Sequence, residues 1–450
     1  MKEFIALTIL TGIVRKPELQ MHWENDVLTV TPFFGQTMSR NRYLQISRYL
    51  HFHDNNDKNN DGDKLVKLRP VIDHLLNKFE ENYQLHQPIS IDEGTLKWKG
   101  RLSFRVYNPM KPCKYGIKSY ILADSVSNYC YDLIIYDGIS RPLRETVLIL
   151  VQDHLNKNHM LYMDNLYNSV GLAEDLLDNG MYVTGTLRRN RGEPKAVTRA
   201  GTQGYVLARG ESVDRDNGRV TVSAWQDNRT VRYLTTMHDN TREIVRVRQR
   251  GGAFQEVSKP VALCDYNRFM GGVDGVDQML SYYPVVRKTV KWVKKLFWYF
   301  IELSLHNAHV IFNHGKNTKA EGKMTLLEFQ KSVVKSLVYP EAEEKESAES
   351  DTDNEDVEGD LVDVGLQPLR VPRQPAKDSL GRMTGGFADH RLETFPPTPK
   401  RKYPQKRCRV CLKKDGRRKE TRYWCSRCNV ALCLGYCFEV YHRKKNPFKN

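Results

Sequence analysis

Three acidic segments interrupt apolar stretches of this chain. In ISIDE, Asp92 follows Ile89 and Ile91; in HMLYMD, Asp164 closes an apolar run; in RFMGGVDGVDQML, Asp274 and Asp277 stand three residues apart behind two glycines. A carboxylate at the edge of an apolar interior is costly unless it is paired or bound to a cation. Carboxylate oxygens suit hard divalent ions such as Mg²⁺ or Mn²⁺, which need few protein ligands and leave positions for phosphate oxygens. With Asp274 as the third acid, Asp92 and Asp164 could hold two such ions about 4 Å apart, clamping the attacking and leaving oxygens of a phosphoryl transfer. Each acid also has a structural reading. Asp164, before NLYNS, can cap the following turn, and Asp274 with Asp277 can be an N-terminal pair favoured by a helix dipole. Spacing alone leaves both readings open.

A second set of chemistry-bearing residues lies near the C-terminus. Residues 408–442 read C-x2-C-x13-C-x2-C-x4-C-x3-C-x4-H, offering Cys408, Cys411, Cys425, Cys428, Cys433, Cys437 and His442. Each C-x-x-C knuckle supplies two thiolates to one tetrahedral ion, so the paired knuckles point to zinc rather than disulfides. A cross-brace would join Cys408 and Cys411 to Cys433 and Cys437. That leaves Cys425, Cys428 and His442 for a second ion, one ligand short. A ribbon would instead put one ion on Cys408, Cys411, Cys425 and Cys428, so one or two Zn²⁺ are expected. The same spacing also fits a protein-binding module of the PHD or RING type.

The elements that must position these residues follow from periodicity. SRNRYLQISRYL and VIDHLLNKFEENY are amphipathic helices, joined through HDNNDKNNDGD, a polar loop lacking the pattern of a calcium site. From residue 88 the period changes. PISIDEGTL, KSYILADS, CYDLIIYDG, HMLYMDNLY and MYVTGTLR read as five strands, with the helix VGLAEDLLDNG before the last, ending at Gly180. Three antiparallel strands followed by strand, helix and strand make a mixed α/β sheet. GRVTVSAWQDNRTVRYLTT alternates as a β-rich insertion. After the GGVDGVDQ segment comes a long helix whose apolar face comprises Val293, Phe297, Phe300, Ile301, Leu305 and Phe312.

Composition narrows the partners. The chain has 450 residues and a formal net charge of +16. Residues 341–360 alone hold eleven acids against one lysine, so the remainder carries +26. Such an excess implies a polyanion, nucleic acid before membrane, because no basic amphipathic anchor accompanies it. No apolar run approaches the roughly 20 residues of a membrane span. FIALTILTGIV, residues 4–14, is flanked by Glu3 and RKPE rather than a basic leader and a cleavage site, so it reads as a core helix and not a secretory signal. Its abrupt start at Met1 raises the expectation of a further segment upstream. Residues 400–450 hold seventeen Lys and Arg against three acids, a phosphate-binding composition. PKRKYPQKR, residues 399–407, reads as a nuclear localisation run.

ISIDEGTLKWKGRLSFRVYNPMKPCKYGIKSYILAD, YMDNLYNS, TGTLRRNR, and NRFMGGVDGVDQM with RKTVKWV resemble the piggyBac transposase family. The resemblance runs from MSRNRYLQISRYLHF through the terminal Cys module. It implies an RNase H-like catalytic core, cut-and-paste DNA transposition at TTAA targets, and catalytic metal ligands at Asp92, Asp164 and Asp274. It further implies an auxiliary acid at Asp277, a site-adjacent tryptophan at Trp292, and DNA-binding or site-adjacent Arg287, Lys288 and Lys291. Double-stranded terminal-repeat DNA, a homodimer and a nuclear location follow from the same resemblance. So does a division into a helical dimerisation and DNA-binding domain split between 1–87 and 282–340, and a core split between 88–196 and 264–281. The β-rich insertion then occupies 197–263, an acidic and Pro-rich disordered linker 341–405, and a zinc module 406–450. A domesticated relative that binds DNA but no longer transposes is the alternative.

Overall fold

The computed structural model describes residues 1–54, 62–111, 113–248, 252, 254–285, 289–340, 390, 392–395, 403–415, 419–425 and 428–443. Most of the HDNNDKNNDGD loop, Arg287 and Lys288, the acidic block and the first residues of the basic PKRK run lie outside these. The chain forms two units, Met1–Asp351 and Thr352–Asn450.

The first unit is built on one mixed sheet. Its strands are β1 (Pro88–Lys97), β2 (Val106–Tyr107), β3 (Tyr115–Asp124), β4 (Cys130–Ile135), β5 (Met160–Met163), β6 (Tyr182–Thr186), β7 (Ser212–Asp216), β8 (Thr221–Gln226) and β9 (Thr230–Thr235). The order is β2-β3-β1-β5-β6-β9-β8-β7, with β4 also pairing with β3. β1 runs antiparallel to β3 and parallel to β5, and β5 runs parallel to β6. The five runs expected as strands are β1, β3, β4, β5 and β6. The β-rich stretch after residue 197 is less separate than an insertion implies, because β9 pairs with β6 and carries β7 and β8 into the same sheet. A ribbon of β10 (Arg242–Arg248) and β11 (Phe254–Pro260) pairs only with itself.

Strand alternation gives each face its own cover. Ile89 and Ile91 of β1, Leu122 of β3 and Leu161 and Met163 of β5 pack beneath α5 (Leu143–Val151) and α6 (Val170–Asp178). Ser169 caps α6, its hydroxyl accepting from the Leu172 amide at 3.2 Å. Gly180, at φ +64°, ends it. On the opposite face, Ile121 and Ala123 of β3 meet α4 (Arg69–Glu81), α9 (Gly272–Tyr282) and α10 (Trp292–Phe312). A short α7 (Lys195–Arg199) lies between β6 and β7, and α8 (Val261–Phe269) leads into α9.

The N-terminal helices close on the C-terminal ones. Phe4 and Leu7 of α1 (Lys2–Ile13) pack with Phe34 of α2 (Pro32–Thr37), Tyr43 of α3 (Arg40–Tyr49) and Trp298 of α10. Ala6 and Ile9 meet Leu305 of α10 and Val334 of α11 (Leu326–Val338). Among the described residues no helix is long and apolar enough to cross a membrane.

The second unit is small. β12 (Leu392–Thr394) pairs with β15 (Tyr423–Cys425), which pairs with β16 (Val430–Ala431). A two-stranded piece of β13 (Lys406–Arg407) and β14 (Glu420–Thr421), with α12 (Arg409–Asp415) and α13 (Tyr436–Arg443), completes it. Leu392–Thr394 fall in the stretch expected as linker, yet as β12 they pair with β15 of this module.

Candidate carboxylate centre and zinc module

The face of the sheet decides where the acids go. Ile89 and Ile91 point to one side, so Ser90 and Asp92 point to the other. Leu161 and Met163 likewise leave Tyr162 and Asp164 on that second side. β1 and β5 are parallel, with Ser90 opposite Tyr162 and Ile91 opposite Met163. The next residues in this register are Asp92, midway along β1, and Asp164, directly after the last residue of β5.

Helix α9 is seated against the same face by its glycines. A Cβ on Gly272 would stand 2.4 Å from Ser90 Oγ, and one on Gly275 2.4 Å from the Asn128 side chain. No bulkier residue permits this approach, and Val273 and Val276 are buried in it. Gly271 meets nothing within 4 Å, so of the two glycines before Asp274 only Gly272 is pressed against the sheet. Asp274 falls in the first turn of α9, with Asp277 one turn on.

Their electrostatics shows crowding of negative charge. Burial, then the charges of Glu93 and Asp164, push the Asp92 carboxyl up to about 7, against the pull of the Glu93 amide. Burial raises Asp164 too; the charge of Glu93 adds to this, and Arg188 and Lys111 oppose it. Asp277 is pushed up to about 6 by desolvation and by Asp274, again against Lys111. The phenol of Tyr266, on α8, is raised by burial and by the charges of Asp164, Asp92 and Asp274, against the pull of Thr186, so three acids distant in sequence all act on one group. The buried Tyr167 hydroxyl, which has no hydrogen-bond partner among the described residues, feels Glu93, Asp92 and Asp164. Glu93, Lys111, Arg188, Tyr167 and Tyr266 were not singled out by sequence. Glu93 adjoins Asp92 in ISIDE, and Lys111, Tyr167 and Arg188 fall within the segments that carry the family resemblance, but no spacing marked them.

Asp164 also has the structural role open to it. Its Oδ1 accepts the Leu166 amide at 2.7 Å and holds the turn after β5. Asp92 Oδ1 accepts the Glu93 amide at 2.7 Å. Among the described residues no three carboxylates bring oxygens within 4.8 Å of one another. A centre made only of carboxylate oxygens nevertheless suits hard divalent cations, and a two-ion clamp needs a spread set of acids rather than a single tight cage. Trp292, at the start of α10, stands edge-on to Phe104 with ring centroids 5.3 Å apart. Lys291 precedes it as an exposed N-cap residue.

The Cys/His residues form two closed sets, with every donor atom of a set within 4.8 Å of the others. Cys408, Cys411, Cys433 and Cys437 make the first, with Cys411 Sγ 4.0 Å from Cys433 Sγ and 3.5 Å from Cys437 Sγ. A tetrahedron with metal–sulfur bonds of about 2.3 Å has edges of about 3.8 Å, so the set fits zinc. Cys425, Cys428 and His442 make the second, and His390 supplies the ligand that the C-terminal motif lacked. His390 Nδ1 lies 3.4 Å from Cys428 Sγ and 3.7 Å from Cys425 Sγ. His442 Nε2 is 3.5 Å from Cys428 Sγ, while its Nδ1 donates to the Phe438 carbonyl at 2.8 Å, fixing the tautomer as metal-binding histidines require. The two sets alternate along the chain, so the cross-brace holds and the ribbon does not. Antiparallel pairing of Leu392 with Cys425 is what brings His390 in; no spacing in the Cys motif could have shown it.

A family model described as Transposase IS4 matches residues 1–309, and one described as DDE_Tnp_1-like zinc finger matches residues 398–443. The chain belongs to this transposase family. Within it, the similarity is to piggyBac proteins. Human PiggyBac transposable element-derived protein 3 is 24% identical over 461 residues, 98% of this chain and 69% of that protein. Human PiggyBac transposable element-derived protein 2 is 24% identical over 326 residues, 68% of this chain but only 54% of that protein, so the chain spans about half of that relative's length. Among solved structures, a piggyBac transposase synaptic complex with hairpin DNA superposes with a TM-score of 0.65 at 22% identity, covering 96% of this chain and 87% of that one. The shared architecture is therefore the piggyBac transposase fold.

Proposed function

We propose that this chain is a metal-dependent DNA transposase of the piggyBac type, cutting phosphodiester bonds at transposon ends and joining them to TTAA targets. The reading rests above all on the parallel register of β1 and β5, which sets Asp92 beside Asp164 on the face where α9 presents Asp274 and Asp277. The strand order β4-β3-β1-β5-β6 supports an RNase H-like description of the core. Asp92, Asp164 and Asp274 would hold one or two divalent ions, Mg²⁺ or Mn²⁺, which when bound stabilise negative charge on the attacking and leaving oxygens. The protein's own contribution is position and charge. The parallel strands fix two acids, the glycine-seated α9 fixes the third, and Lys111 and Arg188 offset the acids' charge. The zinc-fitting module, with the basic run before it, would bind terminal-repeat DNA, and the run would direct the protein to the nucleus. A homodimer is part of the same reading.

The human relatives are named as derived from a transposable element, which leaves room for a second reading, a domesticated protein that binds DNA but no longer transposes. Incubating the zinc-loaded chain with its flanking terminal-repeat DNA and Mg²⁺ separates the two. Metal-dependent nicking that is lost in Asp274→Ala, with DNA binding retained, is the expected result. Binding without nicking under any divalent metal would favour the second reading.

A further inference from the structure

Helix α8 has little apolar packing of its own, yet it sets where α9 and its acids begin. Only Ala262 and Leu263 of α8 are buried. Its last residue, Phe269, rests on the Tyr162 ring with centroids 5.3 Å apart, and Met270 and Gly271 then lead directly into α9. Between these two contacts stands Asp265, one residue before Tyr266 and nine before Asp274. His238 Nε2 donates to Asp265 Oδ2 at 2.9 Å, and the His238 side chain is only 12% exposed.

The sheet fixes the other ring nitrogen. His238 Nδ1 lies 2.9 Å from Thr235 Oγ1 and 3.3 Å from Thr184 Oγ1, and the two hydroxyls are 2.7 Å apart. The amides of Met237 and His238 donate to Thr235 Oγ1 at 3.3 and 3.2 Å. Two donors fill its two lone pairs. Thr235 can then only donate, to Nδ1 directly or to Thr184, whose hydroxyl in turn donates to Nδ1. Either way Nδ1 accepts, and the single ring proton sits on Nε2, facing Asp265. Thr184 and Thr235 are fully buried, so neither hydroxyl meets a substrate, and the arrangement holds rather than reacts.

The same contact closes the base of the β10–β11 ribbon. The ribbon departs shortly after His238 and returns at Pro260 into α8, and the Val261 amide donates to the Thr241 carbonyl at 3.0 Å. One side-chain hydrogen bond therefore joins β6, β9, both legs of the ribbon and α8. An exposed pair of this kind would contribute little. Here the imidazole is shielded and tied to two buried hydroxyls.

We infer that His238 is a positioning residue for the carboxylate centre. Through Asp265 it holds α8 against the sheet, and so holds α9 with Asp274 on the face that bears Asp92 and Asp164. The inference rests on the proposed metal-dependent cutting of DNA.

The test is Mn²⁺ titration read by electron paramagnetic resonance, on the full zinc-loaded chain and three variants, with melting temperatures measured alongside. His238→Ala removes both contacts. His238→Asn reaches only the threonines, so the buried hydroxyls stay satisfied and the fold is kept. His238→Gln places an amide N–H where Nε2–H stood and reaches Asp265. Groups that orient metal ligands are worth about 10- to 100-fold in metal affinity or activity. Mn²⁺ affinity should therefore fall roughly tenfold in His238→Ala and His238→Asn and return in His238→Gln. Nicking of terminal-repeat DNA should follow in kcat, with KM for the DNA unchanged. Lower melting temperatures with unchanged Mn²⁺ affinity would overturn the inference while the transposase reading stands. Equal loss of affinity in His238→Gln and His238→Asn would also overturn it, because the Asp265 contact would then not be the one that matters. A wild-type chain that binds no Mn²⁺ would overturn the metal-dependent reading and this inference with it.

Discussion

Asp124 and Asp92 look alike in the sequence, each an acid following apolar residues in a strand, and the structure gives them opposite roles. Asp124 is fully buried, and its oxygens accept from the amides of His86, Val126 and Ser127 and face the His86 ring at 2.9 Å. All of its negative charge is used in holding the turn after β3. Asp92 accepts one amide and is crowded by Glu93 and Asp164. The rule that an acid in an apolar strand signals chemistry would have selected both, and only the matching segments elsewhere in the chain pointed to Asp92. A buried imidazole offers a separate test at this scale. His306 Nε2 donates to the Asn128 carbonyl at 2.6 Å, its Nδ1 has no hydrogen-bond partner among the described residues, and burial holds its pKa down to about 4 from about 6.5. The folded state favours the neutral ring, so its contribution is intact above pH 6.5 and is lost as pH falls towards 4. At about 1.4 kcal/mol per pKa unit the loss is on the order of 3 kcal/mol. His306→Gln, which keeps the donor, should flatten the fall of stability between pH 6.5 and 4 in denaturant titrations. An unchanged pH dependence would assign the acid sensitivity elsewhere.

Most elements were legible because their periods are clean. The five strands and helix α6 sit where alternation, turn residues and Gly180 placed them, and α3 begins at its Ser39 cap. Helix α10 shows what one-dimensional periodicity misses. Of its expected face, Phe297, Phe300 and Leu305 are buried and Val293, Ile301 and Phe312 only partly so, while Leu296, Tyr299 and Leu303 are buried as well. The helix lies between two partners, the sheet on one side and α1 with α11 on the other, so its buried arc is wider than a single stripe. The strands after residue 197 looked like a separate insertion because pairing across the chain, β9 with β6, leaves no local signature. At α9 the glycines can be tested directly. Gly272→Ala puts a methyl 2.4 Å from Ser90 Oγ, which should cost about 1–3 kcal/mol. It should also lift Asp274 away from β1, so nicking should fall more than stability. A fully stable, fully active variant would show that α9 need not sit so close.

At the scale of the whole molecule, the chain joins a carboxylate-bearing sheet to a small Cys/His module, and the two were unequally readable. Seven of the eight Cys and His residues in the two sets stood in a compact motif; His390 did not, because it reaches the module through the pairing of β12 with β15. Metal analysis of the purified chain should give two zinc ions, falling to about one in His390→Ala with the Cys408, Cys411, Cys433 and Cys437 set still loaded. One zinc in the wild type would contradict the cross-brace. The central claim, however, is that Asp92, Asp164 and Asp274 act together as a metal centre for cutting DNA. Mn²⁺ titration followed by electron paramagnetic resonance, on the zinc-loaded chain with terminal-repeat DNA, tests it most directly. Saturable Mn²⁺ binding that disappears in Asp92→Asn/Asp164→Asn, with zinc content and DNA binding unchanged, is the expected result. Identical Mn²⁺ binding by the wild type and the double variant would contradict the claim.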